Sequence, residues 1–326
     1  MVGGECMKVT VYCTVYNHEK YIKSALDGFV MQKTNFDYEV VVHDDASTDA
    51  SAEIIKQYAK KYPNIIKPIL QYRNQCSQGI DILHTYIAPQ IKGEYVAICE
   101  GDDYWCDCNK LQEQVDFLDN NTEYIACVHN SKILNLFKNK SYDMYEHKGN
   151  RDIDFCDVVK GGGAAYHTSS LMYRKEFVYG RPHFFKTAKG YGDYPLAMYL
   201  ATLGKIYFID KIMSVYRFGT LGSYTCSGES DLRKNVSIPQ NRIELLKEVN
   251  KYTDYKYDIA INRVIVENEY QIQEMLDSYQ TLKKDKFYEI YKKKSFKYKC
   301  KIFFKQYFTN TYHILRKLKY KKFFKL

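Results

Sequence analysis

Four short apolar runs, each closed by a polar turn and followed by a stretch of helical spacing, set the limits on what this chain can fold into. Lys8–Val15 carries Val9, Val11, Tyr12, Cys13 and Val15, and Tyr38–His43 reads YEVVVH. Ile65–Tyr72 and Glu94–Cys99 (EYVAIC) complete the set. Near-continuous apolar runs of this length belong to strands buried on both faces. Pro68 puts the third run at a sheet edge or breaks it, because proline has no N–H to give to a ladder. Between the runs, Glu19–Gln32, the segment bearing Ile54, Ile55, Tyr58 and Ala59, Gly79–Ile91 and Asn109–Leu118 space their apolar residues for helices. Strands alternating with helices predict an α/β fold, with a mostly parallel, Rossmann-like central sheet and helices on both faces.

That arrangement has a chemical consequence. In open parallel sheets, ligands sit beyond the carboxyl ends of the strands. Here those ends are acidic: Asp44 and Asp45 close the second strand, and Glu100, Asp102 and Asp103 follow the fourth. One acidic turn is ordinary solvated surface, but two on the same edge of one sheet suggest a site. No GxGxxG follows the first strand and no GxxxxGK[ST] occurs, which argues against a dinucleotide turn or a phosphate loop. Carboxylates repel bare phosphate, so a diphosphate beside them calls for a divalent cation. Mg²⁺ or Mn²⁺ suits such hard oxygen ligands, even with Cys99, Cys106 and Cys108 nearby. Carboxylates closer to the first strand can instead accept hydrogen bonds from a base or ribose. His43, before the first acidic pair, reads as a structural histidine.

Charge divides the chain. The whole sequence carries +9, but Lys283–Leu326 holds 16 Lys or Arg against Asp285 and Glu289, a net +14, so the rest carries −5 (9 minus 14). A mildly acidic body argues against nucleic-acid binding. In the tail, Phe296, Cys300, Phe303, Tyr307, Ile314 and Leu318 fall on one helical face among lysines. A basic amphipathic helix of this kind suits the surface of an anionic membrane. No apolar run approaches the ~18 residues of a membrane-spanning helix. No CxxC occurs among the ten cysteines, so reduced thiols are expected. A cytoplasmic protein, peripheral at the inner face of the cytoplasmic membrane, is the expectation.

At this point the motifs resemble a known family. The stretches VTVYCTVYNHEKYI (Val9–Ile22), VVVHDDASTD (Val40–Asp49) and YVAICEGDDYW (Tyr95–Trp105) occur in order, followed by CDCNKLQEQ (Cys106–Gln114). TSSLMYR (Thr168–Arg174), GYGDYPL (Gly190–Leu196) and SVYR (Ser214–Arg217) come later. Together they are similar to the inverting family 2 glycosyltransferases, with a GT-A fold, over roughly Met7–Tyr224.

The resemblance implies roles. Thr14, Val15 and Tyr16 would contact the nucleotide base, Asp45 would hold the base or ribose, and Asp44 would assist. Asn74 and Gly79 match a segment passing near the nucleotide. Glu100, Gly101, Asp102 and Asp103 occupy the DxD region, with the metal given chiefly to Asp102 and Asp103. Trp105 is expected to meet a sugar or the acceptor, with plain packing as the alternative, and Arg217 to bear on the leaving diphosphate, with a structural ion pair as its alternative. Asp193 matches the catalytic base, with a helix N-cap as the alternative reading. The histidine the family often places after the Tyr216–Arg217 position is missing from Phe218–Tyr224. Gly161–Gly163 reads as a flexible acceptor-side loop.

The implied activity is inverting transfer of a hexose or N-acetylhexosamine from a UDP-sugar. The acceptor would be a hydroxyl of a glycan or lipid-linked glycan in cell-surface polysaccharide synthesis. A sugar nucleotidyltransferase and a non-catalytic sugar-nucleotide-binding assembly protein are the alternatives. The expected organisation is a catalytic domain over 1–226 (nucleotide part 7–125, acceptor part 126–226) and a helical extension over 227–326.

Overall fold

The structure, a computed structural model, describes residues 7–162, 165–188, 192–220 and 232–308. It divides into two compact units, one from Met1–Phe185 and Gly190–Ser227, the other from Lys186–Lys189 and Gly228–Leu326.

The first unit is built on one sheet. Its first half alternates β1 (Val9–Val15), α1 (Ile22–Val30), β2 (Tyr38–Asp44), α2 (Ser51–Lys61), β3 (Ile66–Leu70) and β4 (Tyr95–Ile98). Then come β5 (Tyr104–Trp105), α3 (Lys110–Asn120), β6 (Tyr124–Asn135), β7 (Lys140–Asp143), β8 (Arg151–Ile153), α4 (Phe155–Gly161) and β9 (Met172–Arg174). α5 (Phe184–Thr187), α6 (Asp193–Leu203) and β10 (Lys205–Phe218) follow. The strand order is β3-β2-β1-β4-β9-β6-β10-β5, with β7 beside β6 and β8 beside β10. β3, β2, β1 and β4 are mutually parallel, as the alternation predicts. β9 then runs antiparallel to both β4 and β6, so the second half is mixed.

Side-chain alternation explains how the sheet holds its helices. Val9, Val11, Cys13 and Val15 of β1, with Val40 and Val42 of β2, join Ile22, Ala25, Leu26 and Phe29 of α1 in one core. Ile55 of α2 and Leu111, Val115 and Leu118 of α3 join the same core. Each such side chain contributes about 1.5–3 kcal/mol by leaving water. Pro68 lies on β3 at the sheet edge, where a missing donor is tolerated.

The helix expected over Gly79–Ile91 forms late and irregularly. Gly79, left-handed (φ 74°), ends the short turn Cys76–Gln78, and helical backbone then runs from Leu83 to Gln90, wide over Leu83–Ile87 and tight over Ala88–Gln90. Pro89 has no amide hydrogen for a regular i→i−4 ladder, and Gly79 favours the turn that precedes it.

In the second unit, α7 (Leu232–Tyr252) and α8 (Asp258–Met275) pack along each other. α9 (Asp285–Lys293) and α10 (Phe296–Tyr307) join Tyr270 of α8 in a small core with Tyr279, Leu282, Phe287 and Ile302.

One close approach sets the register of β1. Thr10 Oγ1 accepts hydrogen bonds from the amides of Lys92 (3.1 Å) and Gly93 (2.9 Å), pinning the entry to β4. A Cβ on Gly93 would lie 2.3 Å from Thr10 N and 2.6 Å from the Val9 carbonyl carbon, against backbone that has no freedom to retreat. Gly93→Ala is therefore expected to cost about 2 kcal/mol or more, read as a lower midpoint in urea.

Candidate active site

The fourth strand delivers the acids. Beyond Ile98 the chain stays hydrogen-bonded to β1: Cys99 N donates to Tyr12 O (3.2 Å) and Gly101 N to Thr14 O (3.0 Å). Asp103 N then closes a tight turn on Glu100 O (3.1 Å). Gly101 allows this approach, for a Cβ there would sit 2.8 Å from Val15 Cγ2 and 2.9 Å from His18 Nδ1. The turn gathers one carboxylate oxygen from each of Glu100, Asp102 and Asp103 within 4.8 Å of one another.

The three acids are held differently. Asp103 is 1% exposed and accepts from the backbone N–H of Arg217 (2.8 Å), with His167 Nε2 3.6 Å from its other oxygen. Asp102 accepts from Thr220 Oγ1 (2.9 Å), and its carbonyl accepts from Arg217 Nη1 (2.7 Å). Glu100 keeps solvent-accessible surface at the mouth, yet protein crowds the rest of it. Burial, with the charges of Asp102 and then Asp193, raises its pKa to about 7. Burial, then the charges of Asp102 and Glu100, push Asp103 well above the usual carboxylate range. Without a counter-ion, this cluster cannot carry its full charge.

The turns after β1 and β2 form the adjoining wall. Asp45 N donates to Val15 O (2.9 Å), so Thr14 and Val15 anchor one acidic turn each through their carbonyls. Asp44 caps its own turn, accepting from Ser47 N (3.0 Å) and Ser47 Oγ (2.5 Å). Asp45 reaches across to the loop after β3, accepting from the amides of Gln75 (2.7 Å) and Cys76 (3.0 Å). Asn74 Nδ2 donates to Asp45 O (3.2 Å), and Tyr16 stands half-exposed beside this wall. Asn17 and Ala46, next along each turn, both hold positive φ (58° and 61°), and Asn17 Oδ1 accepts from Thr48 N (2.8 Å). Thr14, Val15, Asp44, Asp45 and Asn74 are thus brought together, while Gly79 lies on the exposed surface of the same loop.

Asp193 opens α6 from another part of the chain. It is exposed, and one of its oxygens accepts from the first-turn amide of Tyr194 (2.8 Å). Its charge is near enough to act on Glu100.

One expectation needs revision. Trp105 is 1% exposed, its Nε1 donates to Ser169 O (2.9 Å), and its ring packs on Phe29 and beneath Lys110 Nζ. No face is left for a sugar, and the side chain instead pins β5 to the core. Arg217 lies at the acidic edge, stacked on Tyr104 (4.4 Å), and braces Asp102 and Asp103. Gly162 ends α4 with φ 61°, whereas Gly163 and the loop from Leu221 to Tyr224 lie outside the described residues.

The sequence model of Glycosyl transferase family 2 matches residues 10–179. An uncharacterised protein of Mycobacterium tuberculosis is 34% identical over 228 residues, covering 67% of this chain and 61% of its own length. The chain belongs to glycosyl transferase family 2. It spans about three fifths of the length of that curated relative. Among solved structures, TarS 1–349 of S. aureus in complex with UDP-GlcNAc aligns with TM-score 0.55 at 19% identity, covering 82% of this chain and 73% of that one. The mannosyltransferase PcManGT of Pyrobaculum calidifontis in complex with GDP-Man and Mn²⁺ aligns with TM-score 0.52 at 16% identity, covering 84% and 74%. Both likenesses concern the fold, a GT-A α/β architecture.

Two histidines at this family 2 site escape the motif reading. His167 reaches Asp103 from the turn before β9, with its ring 4.5 Å from that of Tyr216. Burial pulls its pKa down to about 4, so it is neutral there. His18 lies under Gly101, its Nδ1 buried without a hydrogen-bond partner among the described residues. Its place in the Tyr16–Asn17–His18 turn was the available signal; for His167 only the fold supplies one.

Glu100 also fixes the sign of a pH effect. Its pKa is 4.5 in an open chain and about 7 when folded, so the folded state holds that proton more tightly. The resulting stabilisation is complete below about pH 4.5 and is lost as pH rises through 7. Glu100→Gln, in buffer with a chelator, is expected to raise the melting temperature relative to the parent more at pH 8 than at pH 5.

Proposed function

We propose that this chain is an inverting, metal-dependent glycosyltransferase moving a sugar from a nucleoside-diphosphate donor, a UDP-hexose or UDP-N-acetylhexosamine, to a hydroxyl of a glycan or lipid-linked glycan in cell-surface polysaccharide synthesis. The observation that carries the reading is the meeting of Glu100, Asp102 and Asp103 within 4.8 Å at the strand ends, with Asp193 close enough to raise the pKa of Glu100.

The donor set fits Mg²⁺ or Mn²⁺: three hard carboxylates, two of them driven toward protonation by burial and then by mutual repulsion, both of which a divalent cation would offset. Asp102 and Asp103 would hold the ion, with Glu100 at the mouth beside them. When bound, it would offset the negative charge that builds on the departing diphosphate. The Mn²⁺ and GDP-Man in PcManGT and the UDP-GlcNAc in TarS support this assignment by likeness of fold.

The chain's own residues do the rest. Asp45, Asp44 and Asn74, with the Thr14–Tyr16 strand end, shape the wall offered to base and ribose. Asp193 is exposed, and with Oδ1 on the Tyr194 amide its Oδ2 would take the proton of the acceptor hydroxyl. The acceptor oxygen's lone pair forms the new bond to the anomeric carbon. The carbon–oxygen bond to the diphosphate breaks with its electrons, and a single displacement inverts the centre. Asp193→Asn is expected to lower transfer about 100-fold or more while UDP still binds, measured by UDP release and by nucleotide titration. Transfer within a few-fold of the parent would reject Asp193 as the base.

The basic extension places the enzyme at the inner face of the cytoplasmic membrane. Ile302 turns into the small core, whereas Phe296, Phe303, Phe304 and Tyr307 stay exposed beside Lys297, Lys299, Lys301 and Lys305. Among the described residues no helix is long and apolar enough to cross a membrane. Ile314 and Leu318, expected on the same face, lie outside the described residues. In the full chain, Phe303→Ser with Phe304→Ser is expected to weaken binding to vesicles rich in phosphatidylglycerol roughly tenfold or more, with melting temperature preserved. Unchanged sedimentation with the vesicles would remove the membrane from the account.

A further inference from the structure

Beside Asp193 lies a small hollow with room for about one water-sized group (about 10 Å³). Leu171, Leu196 and Ala197 form apolar wall, while Thr168, Tyr166 and Asp193 supply its polar groups. Tyr166 is 6% exposed, and its hydroxyl is buried without a hydrogen-bond partner among the described residues. Leaving a buried hydroxyl unpaired costs stability, and a phenylalanine would fill the same volume without that cost. Among the described residues nothing completes the hydroxyl, which leaves it for a group that enters the hollow. Burial, with the Asp193 charge next, pushes this phenol above its ordinary range, so it stays a donor through the physiological range.

We infer that Tyr166 orients the attacking acceptor oxygen by donating a hydrogen bond to it in this hollow. The inference rests on the proposed glycosyl transfer and adds a residue to it. An acceptor oxygen has one hydrogen and two lone pairs. With one lone pair held by Tyr166 and its hydrogen directed at Asp193, the second lone pair is left to face the anomeric carbon. On attack that pair forms the new carbon–oxygen bond, the diphosphate leaves with the electrons of the old one, and the proton passes to Asp193. Tyr166 keeps its own proton throughout. The size of the hollow adds a specificity element: it accepts a single hydroxyl, with the remainder of the acceptor left outside.

Water is itself an acceptor that fits such a space, so the test needs no knowledge of the natural one. The full chain is incubated with Mn²⁺ and each of a set of nucleotide sugars, beginning with UDP-GlcNAc, and donor hydrolysis is followed for the parent and Tyr166→Phe. The expected result is a turnover number lowered roughly tenfold, an unchanged donor KM, and a melting temperature no lower than the parent's. Parent-like turnover in Tyr166→Phe would overturn the inference. So would a lower melting temperature with parent-like turnover per folded molecule, since the hydroxyl would then be satisfied by a structural water. Failure of the parent to bind or hydrolyse any donor would instead strike the underlying functional reading, and this inference would fall with it.

Discussion

Three carboxylates forced close together at the end of one buried strand repel one another, and the first unit is organised around containing that repulsion. Gly101 lets the acidic turn lie flat on Val15 and His18. Arg217 grips the turn from behind, through its amide to Asp103 and its guanidinium to the Asp102 carbonyl. Thr220, three residues on, donates to Asp102, and His167 approaches the second oxygen of Asp103 from another segment. Like charges at this spacing survive burial only by taking up protons or a cation. The raised pKa values of Glu100 and Asp103 describe the first outcome, and the chemistry of hard oxygen ligands describes the second.

The parallel sheet makes the crowding useful. β1 lies between β2 and β4, so the acidic turns after those two strands emerge on either side of it. Asp45 ties the loop after β3 to this edge, which leaves three successive connections sharing one rim. Asp193 opens α6, where a carboxylate in the first turn is favoured by the helix dipole and accepts from the Tyr194 amide.

How much of this was legible depended on where the information lay. β1, β2 and β4 could be read because buried parallel strands are apolar along their whole length. The acids at their ends followed from the rule placing ligands beyond strand carboxyl termini. The apolar spacing after Gly79 marks helical backbone over Leu83–Gln90, but the left-handed Gly79 delays its start and Pro89 denies it a regular ladder. Trp105 was assigned to a sugar from its nearness in sequence to the acidic motif. Only the pairing of β5 with β10 reveals that the ring points into the core. His167 could not be found from local pattern, because its approach to Asp103 depends on contacts across more than sixty positions of chain. The absent histidine after Arg217 was read correctly from the sequence, but the neutral imidazole that approaches the acids from elsewhere was not.

Titration calorimetry of UDP into the full-length protein, with Mn²⁺ and again with chelator, bears most directly on whether the clustered carboxylates grip a metal and a diphosphate together. The account predicts clear binding with Mn²⁺, a loss of most of it with chelator, and a similar loss in Asp102→Asn even when Mn²⁺ is present. UDP binding of equal strength with and without the ion, or its full retention in Asp102→Asn, would contradict it.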